Sequence, residues 1–237
     1  MTEKSTVEEI RHRFDNDVER FSVLQTGQSS TVDAPFTLEI ISAAAAVTNP
    51  DASHILDVGC GAGNYTLKLL EKLPNIQHVD LIDLSRPMLD RATERIQAIS
   101  SATVTAHQTD MREIDLGEER LDVIMAAATL HHLRTDAEWE AVFSGFYRAL
   151  KPGGSFWVSD LLTHDIPALQ TILWGKYGDY LTGLKDEAYR DHVFNYVGKE
   201  DSPRPMSYQM RLLDKIGFSA VEILHKNTVF GAYVAIK

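Results

Sequence analysis

A single cysteine among 237 residues, Cys60, leaves no partner for an intrachain disulfide. A lone thiol fits a reducing cytoplasm. Its place in a glycine-rich loop invites a nucleophile reading, but packing of a small residue explains it more simply. Basic residues are scarce: 23 Lys and Arg face 34 Asp and Glu, for a net charge of −11. That deficit excludes DNA as an expected partner, disfavours tRNA and opposes attachment to an anionic membrane, unless a local basic patch intervenes. No apolar run approaches membrane-spanning length. The stretch from Met1 to Arg20 is highly charged and lacks the apolar core of a secretory leader. A cytoplasmic chain is expected. No Gly-Lys-Ser/Thr follows the glycine-rich loop, so a P-loop is excluded as well.

What the chain does have is Ile55-Leu56-Asp57-Val58-Gly59-Cys60-Gly61-Ala62-Gly63. This reads as a buried parallel strand entering a glycine-rich turn, then a helix from about Asn64 to Leu73. Gly59, Gly61 and Gly63 permit a tight turn and close approach of a ligand to the main chain. A dinucleotide loop needs a small residue where this chain has Asn64. Asp57 would repel a pyrophosphate but attract an ammonium or sulfonium. The loop therefore suits a cationic, amino-acid-bearing nucleoside.

The remaining chain alternates strand-like and helix-like segments, as one domain would. Val7, Ile10, Phe14, Val18 and Phe21 form the apolar stripe of an amphipathic helix within residues 1–32, expected to pack on the domain or cover its site. Thr26 to Ser30 reads as a loop, and Asp33 with Pro35 starts a helix through Ala46. Gln77 to Asp83 reads as a second strand ending in an acid 24 residues after Gly59, where a βαβ unit places a ribose-binding carboxylate. Ser85 can cap the next helix, which frees Asp83 for that role. Leu84 lies beside it, and Met88 reads as core within reach of a base. Ala102 to Gln108 is a third strand, with Asp110 and Met111 beyond its end placed to meet an adenine. Leu121 to Ala127 is a fourth, whose small residues Ala126 and Ala127 leave a floor for a ligand.

His131 and His132 follow at the crevice mouth. Adjacent histidines point apart and make a poor metal pair, so no metal is expected; either one is a candidate general base. A helix over 135–150 stops at Lys151-Pro152-Gly153-Gly154, before a strand from Ser155 to Asp160. Residues 161–203 concentrate aromatics, Trp174 and Tyr177 among them, in a helical cap insertion. A further helix spans Ser207 to Gly217. Phe218 to His225 and Val229 to Ile236 then read as a terminal antiparallel hairpin.

Taken together, ILDVGCGAG, the acid in LIDLS, QTDM, DVIMAAATLHHL and LKPGG resemble the class I S-adenosylmethionine (SAM)-dependent methyltransferases over about residues 34–237. The resemblance implies an α/β, Rossmann-like seven-stranded sheet, mostly parallel with an antiparallel terminal hairpin and helices on both faces. A lid segment at 1–32 would precede a SAM-binding domain at 33–237. The resemblance also implies that Asp57 and the glycines hold the methionyl part, Asp83 the ribose, and Asp110 with Met111 the adenine. The expected reaction is methyl transfer from SAM to a small-molecule acceptor, releasing S-adenosylhomocysteine; a homodimer through the insertion is a further expectation. FDNDVERF, RLLDKIGF and VFGAYVAIK are similar to the carboxy-SAM synthase family, whose members modify SAM itself. In that family an arginine grips the added carboxylate, and Arg190 is the nearest match. Ala127 stands near where that family has asparagine, and a surface ion pair is the alternative role for Arg190. A tRNA methyltransferase is the third reading.

Overall fold

A computed structural model describes residues 4–23 and 27–237. Thr26, the first residue of the expected loop, and parts of the 1–32 segment (residues 1–3, 24 and 25) lie outside the described residues. Seven strands, β1 (His54–Val58), β2 (His78–Asp83), β3 (Thr103–Gln108), β4 (Leu121–Ala127), β5 (Leu150–Leu161), β6 (Ala220–Asn227) and β7 (Phe230–Ile236), form one sheet. Its order is β3-β2-β1-β4-β5-β7-β6. The first five strands are mutually parallel, and β7 runs antiparallel between β5 and β6. The order reverses at β1, which pairs with both β2 and β4. In open α/β sheets the ligand crevice opens at the carboxyl ends of the strands flanking such a reversal.

Alternation along β4 shows why the central strands read as unbroken apolar runs. Val123 and Met125 enter a core with Leu38, Ile41, Leu69, Leu89 and Trp157. Ile124 and Ala126 enter the opposite core with Trp139, Phe143, Phe146 and Phe156. Both sheet faces are buried, so both registers of the strand must be apolar. The helices α3 (Ala34–Thr48), α4 (Asn64–Leu70) and α5 (Arg86–Gln97) supply the first core. The second takes α6 (Asp136–Ala149) and α9 (Met206–Ile216). A third cluster joins Tyr177 and Leu181 of α7 (Pro167–Leu184) to Val193 and Val197 of α8 (Glu187–Glu200), against Leu161, Val229 and Phe230.

Several boundaries differ from the sequence reading. The N-terminal stripe is carried by two helices, α1 (Val7–Asp15) and α2 (Val18–Ser22). Asn16 ends the first, its side-chain amide donating to the His12 carbonyl at 2.7 Å. Such side-chain competition for the backbone is why Asn and Asp favour helix ends. Helix α3 begins at Ala34, but Asp33 is left-handed (φ 58°) and makes no side-chain cap. Its carboxylate instead accepts from His225 and Asn227, both at 2.8 Å, tying the helix start to β6. Pro152-Gly153-Gly154 lies inside a continuous β5, where the Gly153 N–H donates to the Lys237 carbonyl at 3.0 Å. Helix α4 stops at Leu70, and the terminal strands begin one or two residues later than expected. Among the described residues no helix is long and apolar enough to cross a membrane.

Candidate functional site

A deep cavity opens at the carboxyl ends of β1, β2 and β4. One wall is built on the loop after β1, where Gly59, Gly61 and Gly63 all have positive φ. A methyl on Gly59 would lie 2.6 Å from Thr129 Cβ and closer still to its hydroxyl. Gly61 is the opposite case, since a methyl there would meet nothing within 4 Å and lies on the cavity wall. Arg95 braces the loop from outside, donating to the Ala62 carbonyl at 2.5 Å and to the Asn64 side chain at 3.0 Å.

Three strand-end acids face this cavity. Asp57 is 2 % exposed and accepts from the Thr66 hydroxyl at 2.7 Å. Burial pushes its carboxyl up to about 7, with Asp83 adding to the rise and Thr66 opposing it. Asp83 accepts from the Gly61 N–H and from the Ser85 N–H, both at 2.9 Å. Burial raises its carboxyl too, while those two backbone donors pull it down. Ser85 caps α5 by accepting from the Met88 N–H at 3.4 Å, so Asp83 is not needed as a cap. Asp110 is held by the Arg112 guanidinium. Burial opposes the charge there, but Arg112 keeps the Asp110 carboxyl below the ordinary range. Leu84, Met88, Met111 and Ala127 complete this wall.

Not every expected residue reaches the cavity. Gly63 caps α4 behind the wall, and Ala126 is packed in the core; Ala127 and the left-handed Ala128 form the floor instead. Tyr177 lines the cavity, its hydroxyl donating to the Ser30 carbonyl at 2.9 Å. Trp174 lies outside, packed edge-on to Tyr177 and against Phe194. Arg190 also lies outside, paired at the surface with Asp191 at 2.9 Å and Glu187 at 3.8 Å. Arg190 therefore does not line the cavity.

His131 and His132 also line the cavity, in a short turn after β4. Asp160, near the end of β5, accepts from the His131 ring Nδ1 and, at 3.0 Å, from its backbone N–H. Burial pulls the His131 imidazole down, but the charges of Asp201 and Asp160 outweigh it and push it up to about 9. At neutral pH this ring holds its proton, so His131 is a donor rather than a free base. Asp160 and Asp201 were not singled out in the sequence. Asp160 carried the strand-end signal used for the other acids; Asp201, in the polar run Lys199-Glu200-Asp201-Ser202, carried none.

The roof comes from the N-terminal helices. Val7, Ile10, Phe14 and Phe21 line the cavity, and the Asn64 side chain donates to the Phe21 carbonyl at 2.9 Å, joining roof to loop.

A family model described as "Methyltransferase domain" matches residues 55–154. The chain is 26% identical over 191 residues to a carboxy-S-adenosyl-L-methionine synthase of Hydrogenovibrio crunogenus, covering 78% of this chain and 73% of that protein. It is 27% identical over 199 residues to a demethylmenaquinone methyltransferase of Leptospira interrogans, covering 76% and 72%. Among solved structures, an O-methyltransferase family protein from Burkholderia thailandensis superposes with a TM-score of 0.66 at 17% identity. That match covers 95% of this chain but spans 61% of the other, and it bears on the fold alone.

Proposed function

We propose that this chain, which belongs to the class I SAM-dependent methyltransferases, moves the methyl group of SAM to a small-molecule acceptor held in the cavity. The observation that best supports this is Asp83. It stands at the tip of β2, its carboxylate fixed by the Gly61 and Ser85 N–H groups and facing the cavity. Each carboxylate oxygen has a second lone pair for a ribose hydroxyl. The residues present fit the cofactor: Gly61 leaves open space on the wall, and Asp57 offers a buried carboxyl that a cationic methionyl end would hold ionised. Asp110, Met111, Leu84 and Met88 would take the adenine, and Ala127 and Ala128 would underlie the reacting centre.

SAM supplies an already activated methyl, so the chain's task is alignment and exclusion of water. The α1–α2 roof and Tyr177 close the cavity from above. His131 would orient an acceptor by donating a hydrogen bond, leaving His132 as the candidate base where the acceptor is protonated. A cytoplasmic setting and the absence of DNA as a partner, with tRNA disfavoured, belong to the same proposal, resting on the lone buried thiol and the acidic balance; a homodimer through the cap insertion completes it. The surface pairing of Arg190 weighs against carboxy-SAM chemistry that uses this arginine.

Replacing Asp83 with alanine tests the assignment. Hydrogen bonds to a charged group contribute about 1.5–3 kcal/mol each, so losing two should weaken SAM binding by at least about a hundredfold in calorimetry. Unchanged affinity in Asp83→Ala would remove Asp83 from the site. Formation of S-adenosylhomocysteine across a panel of phenol, amine and carboxylate acceptors would then identify the acceptor class.

A further inference from the structure

On the cavity wall the side chains of His131, His132 and Asp201 converge, each offering one ligand-type atom within 4.8 Å of the others. Asp201 Oδ1 lies 3.2 Å from His132 Nδ1 and 3.7 Å from His131 Nε2. Both His132 Nδ1 and Asp201 Oδ1 are buried without a hydrogen-bond partner, and Asp201 as a whole is 6 % exposed. Buried polar atoms left unmade cost about 1–3 kcal/mol each, more for a charged group. Two such atoms this close and this dry need a positive centre between them, which a proton on the imidazole or a metal ion would supply.

We propose that His131, His132 and Asp201 form a binding site for one first-row divalent transition-metal ion. Ligand atoms at about 2.1 Å from a metal stand about 3.0–3.4 Å apart at octahedral to tetrahedral angles, close to the 3.2 and 3.7 Å seen here. Two imidazoles with one carboxylate suit zinc, iron or cobalt rather than magnesium or calcium.

The surroundings are those of a metal site as well. Asp160 takes the His131 Nδ1–H, which fixes the ring, as outer carboxylates do for metal-bound histidines, and turns Nε2 inward, where a metal ion would replace the proton held there in the metal-free chain. The Ser202 N–H donates to the His131 carbonyl at 2.6 Å and so holds the neighbouring Asp201 against the histidine turn. Phe14 packs edge-on to His132 at 6.2 Å between ring centroids, and Arg13, also on the cavity wall, is neutralised by Glu200 at 2.5 Å. A cation is therefore not repelled by an unpaired arginine.

All three ligand residues line the cavity, so a metal held by them would keep open positions facing it. An oxygen-bearing acceptor, such as an enol, a phenol or a carboxylate, could bind there as an anion beside the methyl donor, the ion then taking over the orienting and activating roles of the two histidines. That last step rests on the methyltransferase reading; the metal site itself does not.

The test uses the full chain, stripped with a chelator and titrated with cobalt(II) alone, in the absence of SAM. One cobalt per chain is expected, with the intense visible bands of a four- or five-coordinate ion. Asp201→Asn and His132→Gln should each bind at least about tenfold more weakly, with a single cooperative unfolding transition showing that the variant is folded. Should one variant fail to fold, the other decides. A wild-type chain that binds no stoichiometric cobalt, or folded variants with unchanged affinity, would overturn the site and leave a proton shared within the cluster.

Discussion

Burial drives the Asp57 carboxyl up to about 7, so in the free protein it is largely protonated under mildly acid conditions. Between its ordinary value of 3.8 and about 7, the folded chain holds a proton that the unfolded chain has released. This group alone therefore lowers stability as pH rises through that window, and its effect levels off above it. A cationic ligand reverses the preference, because it favours the carboxylate and must displace the proton. SAM binding is expected to tighten about tenfold between pH 5.5 and 7, below the range where an α-amino group titrates. Calorimetry across that range checks it. Asp57→Asn should bind more weakly with a flat profile, and a wild-type profile already flat would mean that Asp57 does not meet the cation. His131 behaves differently from the sequence expectation of a free base. His131 is charged because two acids surround it, and only the fold shows that Asp201 is one of them.

The loop between β1 and α4 makes two glycines separable. Gly59→Ala combines a left-handed backbone (φ 63°) with a clash against Thr129. Left-handed strain of about 1–2 kcal/mol adds to overpacking of about 1–3 kcal/mol, so urea denaturation should show a loss of at least about 2 kcal/mol. Gly61→Ala meets no protein atom, and its stability cost should be limited to about 1–2 kcal/mol of backbone strain. Its methyl would instead occupy space on the cavity wall, and SAM affinity should drop about tenfold or more. Equal stability losses in the two variants would contradict the loop geometry. The N-terminal helices offer a second element-scale test. Their apolar residues line the cavity and one side-chain hydrogen bond joins them to the loop, so they hold the roof without building the sheet. Removing residues 1–22 should leave a folded chain that releases SAM at least about tenfold faster in stopped-flow. Unfolding on truncation would show instead that α1 and α2 belong to the core.

Across the whole molecule, legibility followed burial. Strand β4 could be read to the residue because both faces are buried and every side chain after Asp122 is apolar. The five parallel strands and the terminal hairpin followed from similar runs between turn residues. The breaks were less legible where polar side chains bond locally or across the fold. Asn16 interrupts an apolar stripe that is otherwise continuous, and Asp33 serves β6 rather than its own helix. Asp57, Asp83 and Asp110 could be picked out because strand ends carry a positional signal, and the parallel sheet brings them to one cavity. Asp201 could not, because it meets His131 and His132 only through the packing of α8 against the β4 turn.

The most direct measurement is the mass of the small molecule released when protein equilibrated with SAM and freed of excess ligand is denatured. One SAM or S-adenosylhomocysteine per chain is expected, reduced to a trace in Asp83→Ala. A folded wild-type chain that retains neither, even at saturating SAM, would contradict the assignment of this cavity.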